Sequence, residues 1–261
     1  MKYFYDTEFI EGTKKTWWGK TTPPTIDLIS IGIVDEDGRE YYSISKEFDL
    51  DYAWDKWDGE YHEQSTFEKS HGLSLRKKYW IRENVLRPIF NELFERATNI
   101  NSVGITMTKK RLKFLISRYG KSRKTIAKEV KNFCYSYRAV KDGGGQITSG
   151  SFIPNKQVEI ELYGYYSSFD HVVLSWLFGR MIDLPKGFPM YTKDLKQMID
   201  DKAEETINRI CYESGNHTVW SKNEAISFIK RQYSYPKQEN EHNALADAKW
   251  NYKLYKFLEK C

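Results

Sequence analysis

Residues 2–9 read KYFYDTEF, and residues 26–45 read IDLISIGIVDEDGREYYSIS. These two stretches decide the fold. Residues 26–34 are crowded with β-branched side chains and read as one buried strand. Asp35, Glu36, Asp37 and Gly38 are a hairpin turn signal, and residues 39–45 return as the next strand. Lys2 to Tyr5 form a short strand running into Asp6, Thr7, Glu8 and Phe9. The opening is therefore a three-stranded antiparallel meander.

Working outward, residues 46–79 alternate acids with Trp and Tyr without a clean period and read as an irregular insertion. Ile81, Val85, Leu86, Ile89, Phe90, Leu93 and Phe94 then recur at helical spacing, with Pro88 as a kink or boundary. Residues 98–120 carry no clear period. Residues 122–137 read as a helix with Ile126, Val130 and Phe133 along one face, and residues 142–145 (DGGG) as a loop. Residues 158–163 alternate as a strand, Gly164 to Phe169 form a loop, and Asp170 to Phe178 begin a helix. Tyr191 to Ile199 is a short strand or helix, or one running into the other; residues 205–232 are helical in part. Asn243 to Glu259 is a helix. This order indicates a mixed α/β layer fold rather than a parallel doubly wound sheet.

The 261 residues carry 40% hydrophobic and 30% charged side chains, enough to build a core and unlike a disordered tail. No run approaches the ~18 apolar residues of a membrane span, and Asp6 comes too early for a secretory signal. Cys134, Cys211 and Cys261 form neither a disulfide framework nor a zinc pair, which fits a reducing, cytoplasmic setting. The Asn216-His217-Thr218 sequon then carries no meaning. Residues 109–131 hold ten Lys or Arg and one acid, whereas the rest of the chain holds 31 Lys or Arg against 35 acids. A basic segment among 8 Trp, 19 Tyr and 14 Phe suits single-stranded nucleic acid. Core aromatics and a solvated basic helix explain the same composition.

Other motifs fail on inspection. Gly120-Lys121-Ser122 lacks the glycine five residues earlier that a phosphate loop needs, since Leu115 stands there. His62-Glu63 would need a histidine at 66, where Thr66 stands. His71 and His217 lie in polar, loop-like sequence.

The carboxylates are more informative. Asp6 and Glu8, two apart on a strand, point to one face, and no Lys or Arg sits beside them on it. Either the strand end frays into an acidic turn or something positive binds. Asp170 at a helix start is an ordinary cap if taken alone. Asp247 shares a helical stripe with Trp250, Leu254 and Leu258 that should face the sheet. A carboxylate there is costly unless paired or coordinating a metal. His242, five residues earlier, meets it only if His242 lies in the loop before the helix. Four acids and a histidine suit phosphodiester hydrolysis, which uses two divalent ions roughly 4 Å apart and a general base for water.

The ordered set Asp6-x-Glu8, Phe169-Asp170 and His242-x4-Asp247 resembles the DEDDh 3′→5′ exonucleases of the ribonuclease H-like fold. DTEFIE (6–11), ISIGIV (29–34), EDGREYY (36–42), FDHVVL (169–174) and HNALADA (242–248) narrow the resemblance to the small bacterial, mycobacterial-type exoribonucleases and their phage relatives. It covers residues 1–50, 80–95 and 155–200 and the last twenty. The wider family often has Asn shortly before the second Asp; here Tyr165, Tyr166 and Ser167 stand there.

The resemblance implies an α/β, ribonuclease H-like mixed sheet flanked by helices, one domain over residues 1–261 with insertions near 51–79, 98–121 and 203–238. It implies that Asp6, Glu8, Asp170 and Asp247 hold two Mg²⁺ or Mn²⁺ ions and that His242 is the general base. Thr7 and Phe9, with Phe169, would touch the terminal nucleotide, although core packing accounts for Phe9 equally simply. His171 reads as a packed or capping residue. The implied partner is single-stranded nucleic acid, RNA ahead of DNA, with no membrane; small members are often homodimers. A DNA exonuclease is a rival that these motifs do not separate, because a 2′-OH is read elsewhere. A non-catalytic module of this fold would have lost one of the five residues, and all five are present. Lys109, Lys110, Arg111 and Lys113 are either a solvated basic face or an arm that holds the strand upstream of the cut.

Overall fold

The computed structural model describes residues 1–13, 18–19, 25–71, 73–135, 159–214 and 220–260. The loop expected at 142–145 and the sequon at 216–218, His217 included, lie outside these. The meander is present as β1 (Lys2–Gly12), β2 (Thr25–Asp35) and β3 (Glu40–Ile44). Asp35 makes its turn: its carbonyl accepts from the Gly38 N–H, its Oδ1 accepts from the N–H groups of Asp37 and Arg39, and Oδ2 lies 2.6 Å from Arg39 Nε.

The stretch expected to be irregular contains two short helices, α1 (Leu50–Asp55) and α2 (Thr66–Ser70). A π-helical turn (Ile81–Leu86) passes into α3 (Arg87–Thr98), with Pro88 in the first turn of α3, where a missing N–H costs nothing. α4 (Lys109–Tyr119) occupies a stretch without a legible period. Its polar face outnumbers the three residues it buries, Leu112, Leu115 and Ile116, and the Thr108 hydroxyl caps it by accepting from the Arg111 N–H. Then come α5 (Arg123–Tyr135), β4 (Glu161–Gly164), α6 (Ser168–Phe178) and a 3₁₀ turn (Met181–Asp183). β5 (Lys193–Asp194) runs directly into α7 (Leu195–Ser214), followed by α8 (Lys222–Lys230) and α9 (Ala244–Leu258).

The five strands form one sheet in the order β3-β2-β1-β4-β5. β2 is antiparallel to both neighbours, and β4 is parallel to β1 and β5. This is a mixed sheet flanked by helices, the architecture of the ribonuclease H-like fold. Strand alternation divides the core. On one face Tyr3, Tyr5, Ile31, Ile33 and Leu162 pack with Ile126 and Val130 of α5 and Val173 and Leu174 of α6. On the other, Phe4 and Tyr163 pack with Leu195 of α7 and Leu254 of α9, while Ile10 and Ile29 pack with Phe90 of α3 and Leu112 of α4.

β1 is longer than its apolar residues indicate. Asp6 and Glu8 do not end it; on one side the antiparallel pairing with β2 runs on to Gly12 opposite Thr25. On the other side the pairing with β4 stops at Phe4 opposite Tyr163. From Asp6 onward, β1 is therefore paired on one edge only, and its other edge is open to α6.

Candidate active site

Alternation along β1 places Phe4, Asp6, Glu8 and Ile10 on one face. Phe4 belongs to one apolar cluster and Ile10 to another, so the two carboxylates fall in the gap between them. α9 closes that gap. The Asn243 side chain caps it, accepting from the N–H groups of Leu245 and Ala246 at 3.1 Å. Its inner stripe of Trp250, Leu254 and Leu258 is buried, each such side chain contributing about 1.5–3 kcal/mol. That driving force carries Asp247, on the same stripe and 7% exposed, against the sheet.

The approach needs Gly32, which faces Asp6 across the ladder. A side chain at Gly32 would collide with the Ala244 carbonyl and Leu245 Cα at the start of α9. An interior strand glycine marks this kind of close backbone contact.

Asp6, Glu8 and Asp247 each bring a carboxylate oxygen within 4.8 Å of the others. Asp170 arrives from α6 through the open edge of β1: its Oδ1 accepts from the Thr7 N–H at 2.9 Å and the Thr7 hydroxyl at 2.5 Å. Burial pushes Asp6 well above the ordinary carboxylate range, and the charges of Asp170, Glu8 and Asp247 add to it. Burial, then Asp247 and Asp170, raises Glu8 to about 8. Burial raises Asp170 to about 6 against the opposing bonds from Thr7. Asp247 is raised by burial and held back by Gln238 Nε2, which donates to Oδ1 at 2.7 Å, and by the His242 N–H, which donates to Oδ2 at 2.8 Å. Among the described residues, none of the four carboxylates pairs with Lys or Arg.

His242 lies in the loop before α9, with φ +67, and its ring meets Trp80 edge to face at 4.6 Å between centroids. Thr7 is buried, and both its N–H and its hydroxyl serve Asp170, so it positions a carboxylate rather than reaching outward. Phe9 packs against the core and also stacks on the exposed Phe169, with centroids 6.1 Å apart. His171 is buried on α6. Three of the four basic residues expected to form an arm on α4 have partners within the protein. Lys109 is bound to Asp51 at 3.1 Å and Asp55 at 2.7 Å, Lys113 approaches Asp51 at 3.9 Å, and Arg111 donates to the Thr106 carbonyl. Gln238 and Trp80 were not legible: Gln238 stands in a stretch without period, and Trp80 sits at the boundary between the irregular segment and the helical run from Ile81. Gly32 and Asn243 carried usable signals, an isolated strand glycine and a cap residue before an apolar helix.

A mixed sheet whose first strand and capping helix bring carboxylates together, with a histidine in the preceding loop, defines a ribonuclease H-like protein of the exonuclease type. Residues 107–258 match the family described as the 3'-5' exoribonuclease Rv2179c-like domain. That is more than half of the chain, which belongs to this family. Two relatives are 29% identical to it over 203 residues, 78% of this chain and 76% of each relative. They are 3'-5' exoribonuclease Rv2179c of Mycobacterium tuberculosis (strain ATCC 25618 / H37Rv) and 3'-5' exoribonuclease MT2234.1 of the same species (strain CDC 1551 / Oshkosh). Among the described residues no helix is long and apolar enough to cross a membrane.

Proposed function

We propose that the chain is a metal-dependent exonuclease that removes nucleotides one at a time from the 3′ end of RNA. The observation that carries this reading is the convergence of Asp6, Glu8 and Asp247 within 4.8 Å, without a basic partner among the described residues. Direction and substrate come from the names of the two mycobacterial relatives. In this reading the chain is one domain, with residues 51–79, 98–121 and 203–238 added to the shared core.

The donor set fits hard divalent cations, because every ligand is an oxygen. Buried like charges that raise one another's proton affinity are the groups a cation relieves. Asp6, Glu8, Asp170 and Asp247 would hold two such ions, Mg²⁺ or Mn²⁺. Bound there, the ions supply Lewis-acid stabilisation of the phosphoryl and leaving oxygens and make the attacking water more acidic.

The protein's own groups do the rest. Thr7 fixes the Asp170 carboxylate by two donors. The His242 imidazole accepts the proton of the attacking water. The water oxygen bonds to phosphorus, the bond from phosphorus to the 3′ oxygen of the penultimate nucleotide breaks, and that oxygen takes a proton from solvent while His242 returns its own to solvent. The products are a nucleoside 5′-monophosphate and an RNA one nucleotide shorter. Phe169, exposed and stacked on Phe9, offers a ring to the terminal base.

The test is incubation of purified protein with 5′-labelled RNA and DNA of one sequence, with Mg²⁺ or with EDTA. Stepwise shortening of RNA from the 3′ end in Mg²⁺, slower on DNA and absent in EDTA, is expected. Internal cleavage, or equal activity in EDTA, overturns the proposal.

A further inference from the structure

A general base is usually oriented by a hydrogen bond to its second nitrogen. Among the described residues, His242 has no such bond: the one hydrogen bond it makes uses its backbone N–H, to Asp247. Its φ of +67 leaves the side chain projecting from a left-handed turn, a conformation non-glycine residues adopt only when the surroundings fix it. What the imidazole touches is the indole of Trp80, at 4.6 Å between centroids and 70° between planes.

Trp80 is held firmly. It packs against the cluster that contains Ile81, Val85 and Leu86, and it opens the π-helical turn. That turn is clamped by the segment before it. Arg82 donates to the Trp54 carbonyl, and its guanidinium lies 3.8 Å from the Tyr79 ring centroid and 4.7 Å from that of Trp54. The Glu83 carboxylate is 3.0 Å from His62 Nε2 and accepts from the Tyr79 N–H. π-Turns are rare and gather at functional sites. Trp80 also lines, with Glu8, Phe9, Lys56 and Lys78, a cavity of about 350 Å³ beside the carboxylates.

We infer that Trp80 is a positioning residue: its indole, packed edge to face with the imidazole, fixes the direction of the His242 ring, doing by packing what an orienting carboxylate does elsewhere. The inference rests on the reading of His242 as base. It also gives Trp54, His62, Arg82 and Glu83 a task, since their contacts brace the turn that Trp80 opens.

The test is a double-mutant cycle, with kcat and KM on RNA for wild type, Trp80→Ala, His242→Ala and the double variant, and with Trp80→Phe as the conservative variant. Misplacement of a reacting group by ~1 Å costs about 100-fold in rate. Trp80→Ala is expected to lose about that much in kcat with KM changed by less than about threefold, and Trp80→Phe to recover most of it. The double variant is expected to be no slower than His242→Ala, because Trp80 acts through the histidine. Trp80→Met, smaller but apolar and without a ring, replaces the alanine variant if that does not fold. A rise in KM, or losses that multiply in the double variant, would show Trp80 on the substrate and overturn the inference. Full activity of Trp80→Ala beside a crippled His242→Ala overturns it and leaves the base intact. Full activity of His242→Ala removes the base and the inference with it.

Discussion

Gly32→Ala tests the construction of the site without touching any of its carboxylates. A Cβ at Gly32 would stand inside 3.0 Å of both the Ala244 carbonyl and Leu245 Cα, which are backbone atoms and cannot rotate aside. Restoring ordinary contact, near ~3.5 Å between carbon atoms, requires the start of α9 to retreat by on the order of 1 Å. Asp247 rides on the first turn of α9, so the retreat carries it away from Asp6 and Glu8. Metal–oxygen distances hold within a few tenths of an ångström of ~2.0–2.6 Å, so a displacement of that size breaks the shared geometry. The expected loss is about 100-fold in rate, equivalent to ~2.7 kcal/mol in the barrier. Overpacking should also cost about 1–3 kcal/mol of stability. The assay is single-turnover shortening of a labelled RNA at saturating Mg²⁺, below the melting temperature of the variant. A Gly32→Ala protein that cleaves within about threefold of wild type would refute the idea that α9 seats on this glycine.

Asp6→Asn should abolish cleavage yet raise the melting temperature of the metal-free protein, by removing one of several repelling buried charges; a lower melting temperature in EDTA would count against that. Glu8 and Asp170 bind protons more tightly folded than unfolded, so the stability they contribute is complete below their ordinary values and is lost as pH rises through about 6 and about 8. Denaturant midpoints in EDTA should therefore fall between pH 5 and pH 9, roughly, and Mg²⁺ should flatten that fall; a rising midpoint contradicts the assignment. On α4, Lys109 is occupied by Asp51 and Asp55. If the other three basic residues each meet a phosphate, replacing Lys109, Lys110, Arg111 and Lys113 by Gln should flatten the salt dependence of RNA binding by roughly 2, at about 0.7 per contact. An unchanged slope would leave them as surface charge.

Asp6, Glu8 and Asp247 were legible because each breaks a pattern: two like charges on one strand face, and one acid on an apolar helical stripe. The placement of His242 outside the helix followed from the five-residue offset to Asp247. The length of β1 was hidden, since Asp6, Thr7 and Glu8 look like the end of an apolar run although they continue the ladder with β2. α4 was hidden by its many basic residues, which leave only Leu112, Leu115 and Ile116 to mark its buried side. Gln238 and Trp80 carry no local signal of their own; each is placed by its partner, Gln238 by Asp247 nine positions on and Trp80 by His242 at a distance of 162.

The seating of α9 on β1 and β2 also links activity to folding. Asn251 Nδ2 donates to the Tyr5 carbonyl across 246 residues of chain, so α9 joins the sheet through some of the most non-local contacts in the molecule. Such contacts pay loop-closure entropy before they return anything and tend to form late. If Asp247 serves as proposed, any lifting of α9 takes it away from Asp6 and Glu8 and should stop cleavage even where the antiparallel pairing of β1, β2 and β3 persists. The fraction of active molecules should then follow the fraction with α9 docked. Amide hydrogen exchange along Ala248–Leu254 should report the same opening free energy as the loss of cleavage in mild denaturant.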